Sequence, residues 1–299
     1  MNQSEMIAKI ERGDGFIAAL DQSGGSTPKA LKGYGIEEGS WSNDEEMFDL
    51  IHQMRSRIIT TPCFGNGKVI GAILFERTMD GTVDGKPTPQ ALIERGIVPF
   101  IKIDKGLEAE ENGVQMMKPM PGLDGLLERA RSLGVFGTKE RSVINSANDA
   151  GIAVLVAQQF QVAKQVLSHG LMPIVEPEVN IKSADRARCD ELLLTAILEE
   201  LDEIPDGQQV MLKLSIPERP GLFRPLVEHP KVLRVVALSG GFSREEACRE
   251  LAKNPGMIAS FSRALLSDLR AQQSDEEFNR TLGQAIDEIY EASTEKVMA

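Results

Sequence analysis

Eight short apolar runs, separated by longer stretches of helical periodicity, constrain this chain more than any other feature. They are GFIAALD (15–21), VIGAILF (69–75), VPFIKID (98–104), VFGTKER (135–141), LMPIVEPE (171–178), VMLKLS (210–215), VLRVVALSGG (232–241) and MIASFSR (257–263). Between them apolar residues recur three and four apart, clearest at 44–59, 121–133, 146–169, 184–204 and 243–253. Strand-like runs alternating with helices indicate βα units around a parallel sheet. Eight of them in 299 residues predict an α/β fold of the (β/α)8 TIM-barrel type. A doubly wound open sheet is the alternative. It is disfavoured because DQSGGSTPKAL, after the first run, has the spacing of neither a dinucleotide fingerprint nor a phosphate-binding P-loop.

Helix starts are marked by polar caps. Ser42 or Asn43 precedes DEEMFDLIHQM, Ser183 precedes ADRARCDELLL and Ser243 precedes REEACREL, each with acids in the first turn. The residues after 274 read as one further amphipathic helix. No Pro/Gly/Ser-rich linker divides the chain, so residues 1–299 are expected to form a single barrel domain with a C-terminal helical tail.

Composition narrows the function. A net charge of −12 argues against nucleic acid or an anionic membrane as partner, since both require a basic face. An anionic ligand must then be met by local cations. His52, His169 and His229 show no metal-ligand spacing, and Cys63, Cys189 and Cys248 form no Cys-x-x-Cys pair, so neither a metal nor a cofactor is expected. The absence of an apolar leader or bilayer-length segment, with cysteines unpaired in sequence, suits a cytoplasmic protein. Homo-oligomer assembly is compatible with this reading.

Within the sixth run stands Lys213, in surroundings that predict burial. An ammonium taken out of water costs several kcal/mol unless it is paired or loses its proton, and the neutral amine is a nucleophile toward carbonyls. In a barrel, the residues that carry chemistry stand at the C-terminal ends of the strands. Those positions hold Asp21, Lys102 with Asp104, Lys139 with Arg141, Glu176 with Glu178, Lys213 with Ser215, Ser239 before Gly240 and Gly241, and finally Arg263. Within each charged pair the spacing of two puts both residues on one face. If strands four to six are neighbours, Lys139, Glu176 and Lys213 converge. Lys139 then supplies a second cation, Glu176 is placed to lend and recover a proton, and Asp21 is a second base. The glycines of LSGGFS, just before a predicted helix, offer backbone N–H groups to an anion, with Arg263 adding a charged contact.

At these residues the chain resembles the class I, metal-independent fructose-bisphosphate aldolases, through ALDQSGGS, ILFERTM, IKIDKG, KERSVI, PIVEPE, MLK, LSGG and FSRAL. The resemblance implies a barrel that reversibly cleaves fructose 1,6-bisphosphate to dihydroxyacetone phosphate and glyceraldehyde 3-phosphate. It further implies Lys213 as the Schiff-base lysine, Glu176 as the acid/base that dehydrates the carbinolamine, Lys139 as the polarising cation and Asp21 as the group assisting C3–C4 cleavage. Glu178 matches a carboxylate that orders the lysines. Ser239, Gly240 and Arg263 match the cradle of the C1 phosphate, and Lys102, Arg141 and Ser26 match residues serving the other phosphate. Departures from the animal enzymes include Ala30 in place of an arginine, with Lys29 nearby, and Glu140 in place of a tryptophan. Leu214 and Ser215 replace Pro-Asn, and the tail EKVMA lacks a terminal tyrosine. Another Schiff-base phosphoketose enzyme, of the tagatose-bisphosphate aldolase or transaldolase type, is the nearest alternative. A non-catalytic phosphosugar-binding barrel is the alternative outside enzymes, and the shortage of histidines disfavours a zinc-dependent aldolase.

Overall fold

The computed structural model describes residues 1–297. All eight apolar runs form strands: β1 (Phe16–Leu20), β2 (Val69–Leu74), β3 (Val98–Lys102), β4 (Gly137–Ile144), β5 (Met172–Val179), β6 (Val210–Ser215), β7 (Val232–Leu238) and β8 (Ile258–Ala259). Each pairs with the next in parallel. The ring is closed between its ends by the Ala19 N–H, which donates to the Phe261 carbonyl at 3.1 Å. Eight parallel strands thus form the expected (β/α)8 barrel.

Helix α1 (Gln3–Arg12) precedes β1, capped by Asn2 in a reciprocal capping box with Glu5. It covers the N-terminal mouth, and its Met6 and Ile10 pack with Ile17, Ile70, Val98, Phe100, Ile174, Met211 and Val236 inside the barrel. This apolar plug fills the lower lumen. The C-terminal ends of the strands are therefore where polar groups collect.

Outside the ring run α2 (Ser26–Gly33), α3 (Asp44–Thr60), α4 (Glu76–Asp80), α5 (Thr88–Glu94), α6 (Leu123–Ser132), α7 (Asp149–Ser168), α8 (Arg186–Asp202), α9 (Arg224–Val227), α10 (Arg244–Ala252), α11 (Arg263–Leu266) and α12 (Asp275–Thr294). Their apolar stripes join the outer strand faces in one large core. Asn43 caps α3 and Ser243 caps α10, as their positions predict. Ser183 does not cap α8: that helix begins at Arg186, and the Ser183 hydroxyl accepts from the Asp185 N–H in the preceding turn. The terminal helix α12 is no loose tail. It packs on β1, β8, α10 and α11 through Phe278, Leu282, Ile286 and Ile289, and serves as the eighth helix of the ring.

Two excursions are not visible as strands in the sequence. One is the hairpin at 82–87, and the other is the segment Val114–Gln115, which folds back antiparallel onto the end of β4. Residues 257–263 also do not form one long strand. β8 ends at Ala259, and Arg263, expected to close it, instead opens α11.

Candidate active site

Alternation along β3 to β6 turns Lys102, Lys139, Glu176 and Lys213 toward the lumen, while their neighbours Ile101, Val175, Leu212 and Leu214 pack against the helices. At the top of the apolar plug these side chains meet Asp21, just past β1, and Asp104, just past β3. Lys213 is 4% exposed and its Nζ lies 3.0 Å from Glu176 Oε1. The other carboxylate oxygen of Glu176 lies 2.9 Å from Lys139 Nζ. One carboxylate thus spans two lysines. Lys139 is held from the opposite side by Asp21 at 2.7 Å and, more distantly, by Asp104 at 3.9 Å, while Asp104 also pairs with Lys102 at 2.6 Å.

Asp21, Asp104 and Glu176 balance Lys102, Lys139 and Lys213 in charge. That balance is what permits burial of Asp104, Lys139, Glu176 and Lys213, with Asp21 and Lys102 partly buried beside them, because each charge is met at short range in a low-dielectric site. Burial alone works against the Lys139 ammonium, but Asp21, Glu176 and Asp104 outweigh it and hold the proton well above the usual lysine range. Burial likewise opposes the Asp21 carboxylate, and Lys139 and Lys213 overcome it, keeping Asp21 well below the usual carboxylate range. In the free site Lys139 therefore carries its proton and Asp21 is ionised at neutral pH.

The β5–β6 seam matters to this geometry. Its ladder consists of Ile174 opposite Met211 and Val175 opposite Leu212, just below Glu176 and Lys213. Pro177 has no N–H to give to a longer ladder. Higher up, the Ser215 hydroxyl takes the ladder's place, donating to the Val179 carbonyl at 2.7 Å and accepting from its N–H at 3.0 Å. The loop after β6 is fixed by a buried pair on α8. There Arg186 donates to the Ile216 carbonyl at 2.6 Å, and Asp190 accepts from the Glu218 N–H at 2.9 Å.

Around this centre stand the remaining residues singled out in the sequence. Arg141 and Glu178 pair two residues further along β4 and β5. Ser239 follows β7, and Gly240 and Gly241 adopt φ of +60° and +116°, which favours glycine. A Cβ on Gly240 would lie 2.6 Å from Ile181, and one on Gly241 would lie 3.8 Å from the Arg263 guanidinium. The glycine turn and Arg263 are therefore adjacent, although they come from different strand exits. Among the described residues, Arg263 has neither an ion-pair partner nor a hydrogen-bond acceptor for its side chain. Ser26 opens α2 at the same end of the barrel, but its hydroxyl is engaged locally, donating to the Ser23 carbonyl and accepting from the Ser23 N–H.

Asp104 belongs to the cluster, although the sequence presents it only as the neighbour of Lys102. Its spacing of two from Lys102 was the available signal. Glu140 points away from the site, fully buried with both carboxylate oxygens lacking hydrogen-bond partners.

A family model described as fructose-bisphosphate aldolase class-I matches residues 3–213. Among solved structures, a fructose-bisphosphate aldolase from Plasmodium falciparum, crystallised with TRAP and a small-molecule inhibitor, is 22% identical. It aligns over 99% of this chain and 96% of its own length with a TM-score of 0.80. The protein Cgl0159 from Corynebacterium glutamicum is 14% identical over 97% of this chain and 92% of its own, with a TM-score of 0.56. The barrel, matched along its whole length, and the family model, which reaches as far as Lys213, lead to one assignment: the chain belongs to the class I fructose-bisphosphate aldolase family.

Proposed function

We propose that the protein cleaves fructose 1,6-bisphosphate reversibly through a Schiff base on Lys213. The observation that carries this reading is the Glu176 carboxylate lying within 3.0 Å of both Lys213 and Lys139. A nucleophilic amine needs a nearby acceptor for its proton, and the carbinolamine formed afterwards needs a donor to expel water. Glu176 is positioned for both tasks. Lys139, anchored by Asp21 and Glu176, keeps its charge and polarises the C2 carbonyl and its oxygen as they react.

The steps follow from these positions. Lys213 gives a proton to Glu176 and attacks C2. Glu176 returns a proton to the carbinolamine hydroxyl, water departs, and an iminium remains. Asp21 takes the proton of the C4 hydroxyl, C3–C4 breaks, and the bonding electrons move into the iminium to give the enamine. Glyceraldehyde 3-phosphate leaves; protonation at C3 and hydrolysis then release dihydroxyacetone phosphate and restore Lys213. The turn at Ser239, Gly240 and Gly241, together with Arg263, is suited to the ketose phosphate, through backbone N–H groups and a guanidinium without a protein partner. Lys102 and Arg141 are suited to the other phosphate, with Ser26 at the α2 start; Glu178, expected to order the lysines, pairs with Arg141 and so orients that guanidinium.

Lys213→Met tests the assignment in a coupled assay of fructose 1,6-bisphosphate cleavage. Loss of activity together with a retained fold supports the reading, whereas full activity refutes it. Running the same assay on a panel of phosphoketoses, with and without an aldose acceptor, distinguishes this activity from tagatose-bisphosphate cleavage and from transaldol transfer.

A further inference from the structure

Arg55 lies on α3 among the core-facing residues Ile51, Met54 and Ile58, and is 1% exposed. An arginine in such a place is expected to have a carboxylate partner. Among the described residues it has none. Its guanidinium instead donates to three neutral oxygens: the Gln22 carbonyl, the Gln22 side-chain oxygen at 3.3 Å and the Thr78 hydroxyl at 2.7 Å. The ring of Phe75 lies 6.0 Å away, and the buried Nε has no acceptor. Burial pulls the guanidinium down to about 10, and the charge of Asp21 is what opposes that pull.

Gln22 is the residue after Asp21. With its oxygen held by Arg55, its amide group donates in the other direction, to the Ser262 hydroxyl at 2.5 Å. Ser262 is the residue before Arg263. The chain Arg55–Gln22–Ser262 therefore runs from the ring helix α3 across the exit of β1 to the start of α11, touching the sequence neighbours of two proposed site residues, Asp21 and Arg263. A side chain serving only stability would be better replaced here by an apolar one of similar volume, since burial of an unpaired cation costs several kcal/mol.

We propose that Arg55 is a positioning residue for the aldol cleavage step. Through Gln22 and Ser262 it holds the Asp21 carboxylate in register with the Arg263 arm. This inference rests on the aldolase reading above. It places the effect on carbon–carbon cleavage, where Asp21 acts, and leaves Schiff-base formation at Lys213 unaffected.

The experiment compares the full-length wild type with Arg55→Met and Ser262→Ala, each also made in an Asp21→Asn background. Readouts are kcat and KM for fructose 1,6-bisphosphate, the amount of dihydroxyacetone phosphate trapped on Lys213 by borohydride, and the melting temperature. Displacing a reacting group by a fraction of an ångström to an ångström costs up to about a hundredfold in rate. Arg55→Met should therefore lower kcat about ten- to a hundredfold, and Ser262→Ala several-fold, with the trapped adduct undiminished. Once Asp21 is replaced by asparagine, neither substitution should lower the residual rate further, because residues acting through one group are not additive. Wild-type kcat in Ser262→Ala, or equal losses with and without Asp21, overturns the proposal. Should Arg55→Met fail to fold, Ser262→Ala decides the outcome on its own. A wild type that neither turns over nor traps the ketose refutes the aldolase reading instead.

Discussion

Glu140 sits on β4 between two residues of the active site, yet it faces outward and is fully enclosed, with neither carboxylate oxygen hydrogen-bonded. Replacing it with methionine of similar length should stabilise the protein. A buried polar group without partners costs about 1–3 kcal/mol, and an apolar side chain of matched volume adds little strain. A gain of about 2 kcal/mol corresponds, for a chain of this size, to a melting temperature higher by about 3 °C. The effect depends on pH in a definite direction. Burial, reinforced by the negative charge of Asp104, raises the Glu140 carboxyl well above its ordinary 4.5, so the folded state keeps a proton that the unfolded chain loses. Stability from this group is fully present below about pH 4.5 and declines as the pH rises above it. The advantage of Glu140→Met should accordingly be larger at pH 7.5 than at pH 4.5 when both proteins are unfolded with urea. Since the side chain faces away from the active site, kcat should stay within about twofold, below the tenfold that 1.4 kcal/mol would produce. A destabilised variant, or an advantage that does not change with pH, would refute this reasoning.

Other consequences are equally specific. Arg263→Ala should raise KM for fructose 1,6-bisphosphate about ten- to a hundredfold, because a charge-assisted hydrogen bond is worth about 1.5–3 kcal/mol; steady-state kinetics at low ionic strength would show it. Ser215→Ala leaves the N–H and carbonyl of Val179 unpaired in a buried seam, and urea denaturation should register a loss of about 1–3 kcal/mol. Lys296 donates to the carbonyls of Leu251, Met257 and Ala292, and burial, helped by Arg234, lowers it to about 8 from 10.5. The unfolded chain therefore binds more protons between those values, and stability from this residue rises as the pH passes from 8 toward 10.5. In Lys296→Met that rise should disappear, which denaturation at pH 7.5 and 9.5 would reveal.

Much of the architecture could be read directly from the sequence. Strands covered by helices outside and by a plugged lumen inside become short apolar runs, and a charge within such a run stands out, as Lys213 does. Lys102, Lys139, Glu176 and Lys213 could be read as one group because alternation along β3 to β6 turns them toward the lumen. What the sequence concealed lies where local pattern and tertiary environment disagree. Arg263 follows an apolar run and looks like its end, whereas the chain has already turned into α11. Ser183 is good cap chemistry that a turn uses instead. Asp104 looks like the partner of one lysine and becomes part of a six-member cluster only when β3 and β4 are side by side. Arg55 occupies an apolar position of α3, four residues after Ile51, and that break in the stripe was its one visible sign. The hairpin at 82–87 has too few residues for an alternating pattern to register.

The central claim is that a carbonyl substrate becomes covalently attached to Lys213. Mass spectrometry after borohydride treatment with dihydroxyacetone phosphate tests it directly, because it reads the site, the mechanism and the ketose together. The expected result is a single reduced adduct mapped to the peptide containing Lys213 and absent from Lys213→Met. Absence of any adduct from active wild-type protein, or an adduct on Lys139 in its place, would contradict the mechanism.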